Sequence, residues 1–333
     1  TARNFVGQAL AIQPDLAEAH HNLGLIHKDA NRLTKAVRCM KTALDYNPDL
    51  VEATYNLGII EQLRGRFEAG LTWFDKARRS RPDYGPARWR WHLSLPILYD
   101  HPQQINQCRQ RFEAHLNHLI EETPLRTLIE QQTAFEGMGS MTNFLLQYQG
   151  RNDRRLQTAY GEFAARVMAA AYPQWARQIN MPPLPQDGKL RIGYVSSFMH
   201  AHTIGEFLAG WLEHHDHDAF EIICYHIGSK IDPMTDRFKR HSSAFHQIGH
   251  DLEKAATCIL ADELHILVYT DIGMNSLASQ LASLRLAPIQ CKGWGHPVTT
   301  GLPTIDYYLS SDLMEPPDAD RHYSEELIRL PNL

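Results

Sequence analysis

The sequence predicts an α-helical repeat region followed by an α/β domain that is built on a parallel sheet. Pro14, Pro48 and Pro82 stand 34 residues apart, and the residues around them repeat at the same spacing. From Lys189 onward, apolar runs of strand length alternate with helical stretches, which is typical of a parallel sheet covered on both faces. The chain therefore divides into an all-helical part and a mixed part.

The helical part has the period of tetratricopeptide repeats. The segment HNLG at 21–24 returns as YNLG at 55–58. A 34-residue period of this kind indicates two antiparallel helices per unit, stacked into a superhelix whose concave face usually binds protein. Asn31 and Gly65 stand at equivalent turns, and both residue types accept the left-handed conformation that ends a helix. We expect first helices at about 16–28, 50–63 and 84–95, second helices at about 33–46 and 67–79, and a lone second helix at 1–13.

Three regions are expected along the chain: repeats at 1–95, a helical bridging region with its linker at 96–188, and a mixed region at 189–333. The bridging region contains two amphipathic patterns and ends in a proline-rich linker. We expect its helices at 125–136 and 156–171. In the mixed region we expect strands at 190–195, 220–226, 265–269, 289–294 and 305–309, with helices at 204–214, 233–241, 252–263 and 277–286.

Composition narrows the class of protein. A formal net charge of −5, without a basic cluster, gives no electrostatic reason to expect nucleic-acid binding. No apolar run is long enough to span a membrane. The five cysteines are scattered and odd in number, so we expect reduced thiols in a cytoplasmic protein, with Cys224 and Cys291 inside strands. The pattern is incomplete at both ends, so we expect a piece of a longer protein.

Asn22 and Asn56 occupy the same place in successive first helices, which are the helices that line the concave face. A column of amides can grip an extended peptide because each amide both donates and accepts hydrogen bonds. The alternative is an ordinary solvated asparagine, and Arg90 replaces the asparagine in the third unit. We predict that Asn22 and Asn56 bind peptide.

The loops that follow strands hold the unusual residues of the mixed region, and ligands of parallel sheets bind at this edge. His200 and His202 follow the first strand, where an imidazole can act in catalysis or binding. Two imidazoles alone do not indicate a metal site, and no third ligand has a matching spacing nearby. The turn at 295–301, with Gly295, His296, Pro297, Thr299 and Thr300, offers backbone N–H groups and hydroxyls that suit phosphate or sugar oxygens. A solvated histidine and an ordinary turn remain the alternatives.

Several segments of the mixed region resemble, in order, the catalytic region of O-linked N-acetylglucosamine transferases and Spindly-like proteins. These segments are LRIGYVSS at 190–197, HTIG at 202–205, FEIICY at 220–225, HILV at 265–268, LRLAPIQ at 284–290, GWGHPVTTG at 293–301 and IDY at 305–307. The resemblance implies the N-terminal, Rossmann-like lobe of a two-lobe glycosyltransferase of the GT-B type. The second lobe supplies most nucleotide contacts in that family, so the resemblance implies that this piece alone is inactive.

The resemblance also implies roles for particular residues. His202 matches an active-site histidine that follows the first strand, and His265 and Asp262 match further polar positions near the cleft. Residues 295–300 match the turn that approaches the donor sugar. The implied reaction is inverting attack by a protein Ser or Thr hydroxyl on a nucleotide sugar such as UDP-GlcNAc, with no cofactor and no metal.

The resemblance is imperfect at two places, and this leaves alternatives open. Residues 198–200 separate the serine pair from Ala201-His202, and the segments at 271–274 and 295–297 are similar to bacterial enzymes that glucosylate asparagine on adhesins. Asparagine glucosylation and O-fucosylation therefore stand beside transfer of GlcNAc to Ser or Thr. A non-enzymatic repeat scaffold is the competing class.

Overall fold

The computed structural model describes residues 2–332, so Thr1 and Leu333, the outermost residues of the predicted first and third regions, lie outside the described residues. The chain forms two compact units, which divide after Met141. The predicted bridging region contributes residues to both units.

The first unit is built from antiparallel helices, and those of the repeats lie at the expected positions, whereas the helix at Pro102–Glu121 was not predicted. Its two complete repeats show the predicted pairing of a first and a second helix, and the predicted lone helix near the N-terminus is present from Ala2. The helices are α1 Ala2–Ile12, α2 Ala17–Asp29, α3 Leu33–Tyr46, α4 Val51–Leu63, α5 Phe67–Ser80, α6 Gly85–Leu93, α7 Pro102–Glu121 and α8 Leu128–Gly139.

Small residues let the paired helices approach closely. A Cβ placed on Gly24 would lie 2.8 Å from the Cε of Met40, and one placed on Gly58 would lie 2.4 Å from the Cε1 of Phe74. The side chains of Met40 and Phe74 are fully buried, so they fill the space that the glycines leave. Asn31 and Gly65 have φ angles of 53° and 75°, which confirms the predicted left-handed turns.

The second unit holds a seven-stranded parallel sheet in the order β3-β2-β1-β4-β5-β6-β7. Its first six strands have the Rossmann strand order, which confirms the predicted fold class. The strands are β1 Leu190–Ser196, β2 Phe220–His226, β3 Ala244–Gln247, β4 Ile266–Tyr269, β5 Ile289–Lys292, β6 Tyr307–Ser311 and β7 Glu326–Leu330.

Helices alternate with the first five strands, and a helix from the predicted bridging region precedes the sheet. These helices are α9 Arg154–Ala171, α10 Thr203–Glu213, α11 Pro233–Arg240, α12 Leu252–Ala261 and α13 Ser276–Ala282. One core cluster joins the sheet to α10 and α11 through Tyr194, Cys224, Leu208 and Phe238. Cys224 and Cys291 lie buried in β2 and β5 as small apolar residues, as predicted.

All five cysteines are free thiols. Within residues 2–332, no helix combines the length and the apolar character that crossing a bilayer requires.

Candidate functional site

The strand order reverses between β1 and β4, and a buried carboxylate joins the loops that follow these two strands. Asp271 accepts a hydrogen bond from the Ser197 backbone N–H at 3.0 Å and a second from the Ser197 hydroxyl. Burial raises the pKa of Asp271 to about 6. Because parallel α/β sheets bind ligands outside the carboxyl ends of their strands at such a reversal, this pair marks the expected place of a site.

His202 stands at this edge, between β1 and α10. Its Nδ1 accepts a hydrogen bond from the Ile204 N–H at 3.2 Å, so the imidazole caps the first turn of α10. Its ring stacks on Phe198 at 4.2 Å between centroids. Burial lowers the pKa of His202, with His200 and Lys230 adding to the effect. A neutral imidazole that accepts at Nδ1 carries its proton on Nε2, so His202 offers an N–H donor at its other nitrogen.

A carboxylate from a neighbouring loop anchors the segment that carries His202. Asp232 Oδ2 accepts from the Ala201 N–H at 2.9 Å, while Oδ1 accepts from the Met234 N–H at 3.0 Å and caps α11. The hydrogen bond from Ala201 is the largest cause of the lowered pKa of Asp232. Asp232 thus fixes the backbone next to His202.

The turn after β5 packs tightly against the same edge. A Cβ on Gly295 would lie 2.1 Å from the Thr270 carbonyl oxygen, so only glycine allows this approach. The His296 ring is 1% exposed and stacks on Phe144 at 5.3 Å between centroids. Within the described residues its nitrogens have no hydrogen-bond partner, and burial lowers its pKa to about 2. Pro297 is exposed at the tip of the turn.

The hydroxyls of Thr299 and Thr300, which were predicted to bind the donor sugar, both donate hydrogen bonds within the protein. The Thr299 hydroxyl donates to Glu325 Oε2 at 2.6 Å, and the Thr300 N–H donates to Glu325 Oε1 at 2.7 Å. The Thr300 hydroxyl also donates to Oε1. Both threonines and Glu325 are buried. Their side chains therefore hold the turn in place, which is a structural role that the spacing within the turn did not reveal.

A buried lysine lies under the same turn. Lys292, the last residue of β5, is fully buried, and its Nζ donates to the Val298 carbonyl oxygen at 2.5 Å. Burial lowers the pKa of Lys292 to about 7, against the opposing attraction of Glu325. Lys292, Glu325 and Asp271 stand in no recognised motif, although the loop that contains Asp271 resembles that of a known family.

An apolar pocket lies between α10 and the turn after β5. Its walls are mostly aromatic and aliphatic, with the Phe207 and Trp294 rings 4.8 Å apart between centroids. The pocket is lined by Ile204, Phe207, Leu208, Trp211, Thr270, Gly293, Trp294 and Gly295. One of its lining residues, Ile204, is only two positions after His202, so this apolar surface is close to His202 at the carboxyl edge.

The other two predicted catalytic residues do not join His202. His265 precedes β4, and its Nδ1 accepts from the N–H of Arg191, the second residue of β1, at 3.0 Å. His202 lies beyond the opposite end of β1, and this seven-residue strand spans roughly 20 Å at a rise of about 3.3 Å per residue. Asp262 accepts from the Tyr225 hydroxyl at 2.6 Å beside His246. The structure places neither residue beside His202, and their catalytic roles stay predictions.

In the first unit, the two predicted peptide-binding amides differ. Asn22 is exposed on α2. Asn56 is half-buried on α4, and its Nδ2 lies 2.8 Å from the Glu52 carbonyl oxygen and 3.1 Å from His21 Nε2. Local contacts therefore occupy the donor of Asn56 and leave its carbonyl oxygen as the group for a ligand.

Two families match parts of the chain. A tetratricopeptide-repeat family matches residues 21–85, and glycosyl transferase family 41 matches residues 168–333. A probable UDP-N-acetylglucosamine–peptide N-acetylglucosaminyltransferase SPINDLY from Oryza sativa subsp. japonica is 37% identical over 185 residues, which cover 54% of this chain and 20% of the rice protein. The probable enzyme SEC from Arabidopsis thaliana is 27% identical over 165 residues, which cover 48% of this chain and 17% of that protein.

A solved structure resembles nearly the whole chain. The K341M mutant of the Thermobaculum terrenum O-GlcNAc transferase superimposes with a TM-score of 0.65 at 25% identity, over 98% of this chain and 53% of that one. The chain spans only about a fifth of the length of the rice relative, 20%. Residues 168–333 match glycosyl transferase family 41, and the chain joins a first catalytic lobe of the O-GlcNAc transferase and Spindly-like type to tetratricopeptide repeats.

Proposed function

We propose that this chain is part of a cytoplasmic protein glycosyltransferase that transfers a sugar, GlcNAc, from a nucleotide sugar to Ser or Thr residues of proteins. The observation that carries the proposal is the position of His202, held at the carboxyl edge of a family 41 lobe with one imidazole nitrogen engaged and the other left for a ligand. The names of the rice and Arabidopsis relatives support UDP-GlcNAc as the donor.

In this proposal the repeats present the acceptor polypeptide, and Asn22 with Asn56 contacts its backbone. The exposure of Asn22 and the 34-residue spacing of the two amides support this role. The five free thiols support a reducing compartment such as the cytoplasm.

The state of His202 favours one route for the proton. The acceptor hydroxyl attacks the anomeric carbon, the bond from that carbon to the nucleotide phosphate breaks, and the hydroxyl loses its proton. His202 Nδ1 already accepts the Ile204 N–H, and a base at Nε2 would need the other tautomer, with two N–H groups facing each other. We therefore assign His202 as a hydrogen-bond donor that positions an oxygen, and a phosphate oxygen of the donor takes the proton.

The test uses the full-length protein, because the second lobe supplies most nucleotide contacts in enzymes of this kind. The protein is incubated with cell lysate and UDP-GlcNAc, UDP-glucose or GDP-fucose in separate reactions, and mass spectrometry locates each added sugar. GlcNAc on Ser or Thr is the expected product. Glucose on asparagine, or fucose on Ser or Thr, would replace the proposed reaction with one of its alternatives. No transfer from any donor by folded protein would favour a repeat scaffold.

A further inference from the structure

Three side chains with metal-binding atoms meet on the β3 side of the sheet. His246 lies in β3, Cys258 lies in α12, and Asp262 directly follows α12. One ligand atom from each residue lies within 4.8 Å of the ligand atoms of the other two. All three side chains are partly exposed, so an ion can reach them from solvent.

The sequence and fold explain why these atoms converge. Cys258 and Asp262 are four residues apart, so they lie on one side of the helical end. His246 approaches from the edge strand β3, which pairs with β2 in parallel. Ligands held on a strand and a helix are positioned more rigidly than ligands held on loops.

The distances are close to those of a tetrahedral ion. His246 Nε2 and Asp262 Oδ2 are already 3.1 Å apart. Zinc bonds of about 2.0 Å to nitrogen or oxygen and 2.3 Å to sulfur place neighbouring tetrahedral ligand atoms about 3.5 Å apart. Because the Cys258 Sγ lies within 4.8 Å of the other two ligand atoms, an inward shift of roughly 1 Å completes a three-ligand set.

A buried tyrosine contacts two of these three residues. The Tyr225 hydroxyl donates to Asp262 Oδ2 at 2.6 Å, and the Tyr225 ring stacks on His246 with centroids 5.3 Å apart and planes inclined by 15°. Tyr225 is fully buried in β2, so it fixes both ligands. Hydrogen bonding of this kind orients metal-binding carboxylates in known sites.

We propose that His246 Nε2, Cys258 Sγ and a carboxylate oxygen of Asp262 bind one zinc ion. A nitrogen, sulfur and oxygen set suits this borderline cation, and water completes the tetrahedron because the cluster is partly exposed. Cys258 binds as the thiolate, and its proton is released to solvent. The ion ties edge strand β3 to α12, on a part of the sheet separate from His202, and gives Asp262 a structural use in place of the catalytic one.

Metal titration of the chain tests the site. The protein is stripped with a chelator, and Zn²⁺ is added in competition with a chromophoric chelator. We expect one tight equivalent and a higher melting temperature with zinc. Cys258→Ser, Asp262→Asn and His246→Gln should each weaken binding at least about tenfold, and Tyr225→Phe should weaken it less. His250→Gln, at an exposed histidine of the same lobe, is the matched control and should bind as the wild type does.

A second measurement does not depend on variants that fold poorly. Co²⁺ bound to the unmodified chain should give the intense visible bands of a tetrahedral ion and a thiolate charge-transfer band in the near ultraviolet. The thiolate band should disappear in Cys258→Ser. The proposal is overturned if wild-type protein binds no tight equivalent, if the cobalt complex lacks the thiolate band, or if the three ligand variants bind as tightly as His250→Gln.

Discussion

The hydroxyl of Thr299 donates a hydrogen bond to a carboxylate oxygen of Glu325 at 2.6 Å, and both groups are buried. Glu325 also accepts from the backbone of Thr300 at 2.7 Å, so one side chain just before β7 closes the turn after β5. The turn that resembles a donor-sugar loop is therefore held in its conformation by Glu325, which is more than twenty positions away in the sequence.

Glu325→Gln should loosen this turn. The amide replaces one acceptor oxygen with an NH2 group that faces N–H and O–H donors, which costs about 1–3 kcal/mol when the groups are buried. We expect the melting temperature of the chain to fall by roughly 5 °C, since about 1 kcal/mol shifts a domain of this size by 2–4 °C. Glu326→Gln changes the exposed neighbouring residue and should melt like the wild type. Equal melting of the two variants would show that Glu325 does not hold the turn.

Lys292→Met should remove a pH dependence of stability. The pKa of Lys292 is lowered to about 7 in the folded chain, whereas an unfolded lysine titrates near about 10.4. Between these values the unfolded chain binds the additional proton, so stability rises with pH and falls as pH decreases toward 7. Wild-type protein should therefore gain about 2 kcal/mol relative to Lys292→Met between pH 7 and pH 9.

Urea unfolding of both proteins at pH 7, 8 and 9 measures this difference, because titrations that the two proteins share cancel. Lys189→Met, at a lysine outside the sheet, is the control and should follow the wild type. A constant difference between wild type and Lys292→Met across this range would mean that Lys292 stays protonated in its buried position.

Asn22 and Asn56 should contribute unequally to acceptor binding. Asn22 is exposed, whereas contacts with Glu52 and His21 occupy the Nδ2 group of Asn56. If the repeats bind acceptor polypeptide, Asn22→Ala should raise the Kd for an acceptor peptide by about fivefold, since a net hydrogen bond contributes about 1 kcal/mol. Asn56→Ala should have a smaller effect. Fluorescence anisotropy with a labelled peptide measures both, and a larger effect at Asn56 would contradict the assignment.

Local patterns were sufficient to predict the repeats. The paired repeat helices bury small residues, such as Ala36 and Ala43 in α3 and Gly70 and Ala77 in α5, so the 34-residue period determined the helix positions to within a few residues. Helix α7 was missed, although Cys108, Phe112, Leu116 and Leu119 form a buried stripe at helical spacing along it. Strand β3 was missed because only four residues of an edge strand carry the signal, and none of them is fully buried.

The site was predicted less completely because its contacts join residues that are distant in sequence. The carboxyl-edge rule placed His202 and the turn at 295–301 correctly. The partners of Thr299 and the pairing of Asp271 with Ser197 depend on how separate strands align, which no local pattern contains. A match of residue types did not show that His265 and Asp262 lie away from His202, because it does not indicate which edge of the sheet a residue occupies.

His202 connects the structure to the proposed chemistry. In His202→Asn the amide oxygen can still cap α10 while the amide nitrogen remains a donor, because asparagine is a good N-cap residue. His202→Ala loses both functions. If His202 is a positioning donor, the asparagine variant should retain more activity than the alanine variant. If His202 is a general base, both variants should lose activity equally.

Sugar transfer at the edge around His202 is tested by kcat/KM for GlcNAc transfer by the full-length protein, compared among wild type, His202→Ala, His202→Asn and the control His250→Ala. We expect a loss of roughly 100-fold in His202→Ala, a smaller loss in His202→Asn, and none in the control, since removing a positioned donor costs about 10²–10³ in rate. Transfer by His202→Ala at the wild-type rate would contradict the claim that the carboxyl edge around His202 is the site of sugar transfer.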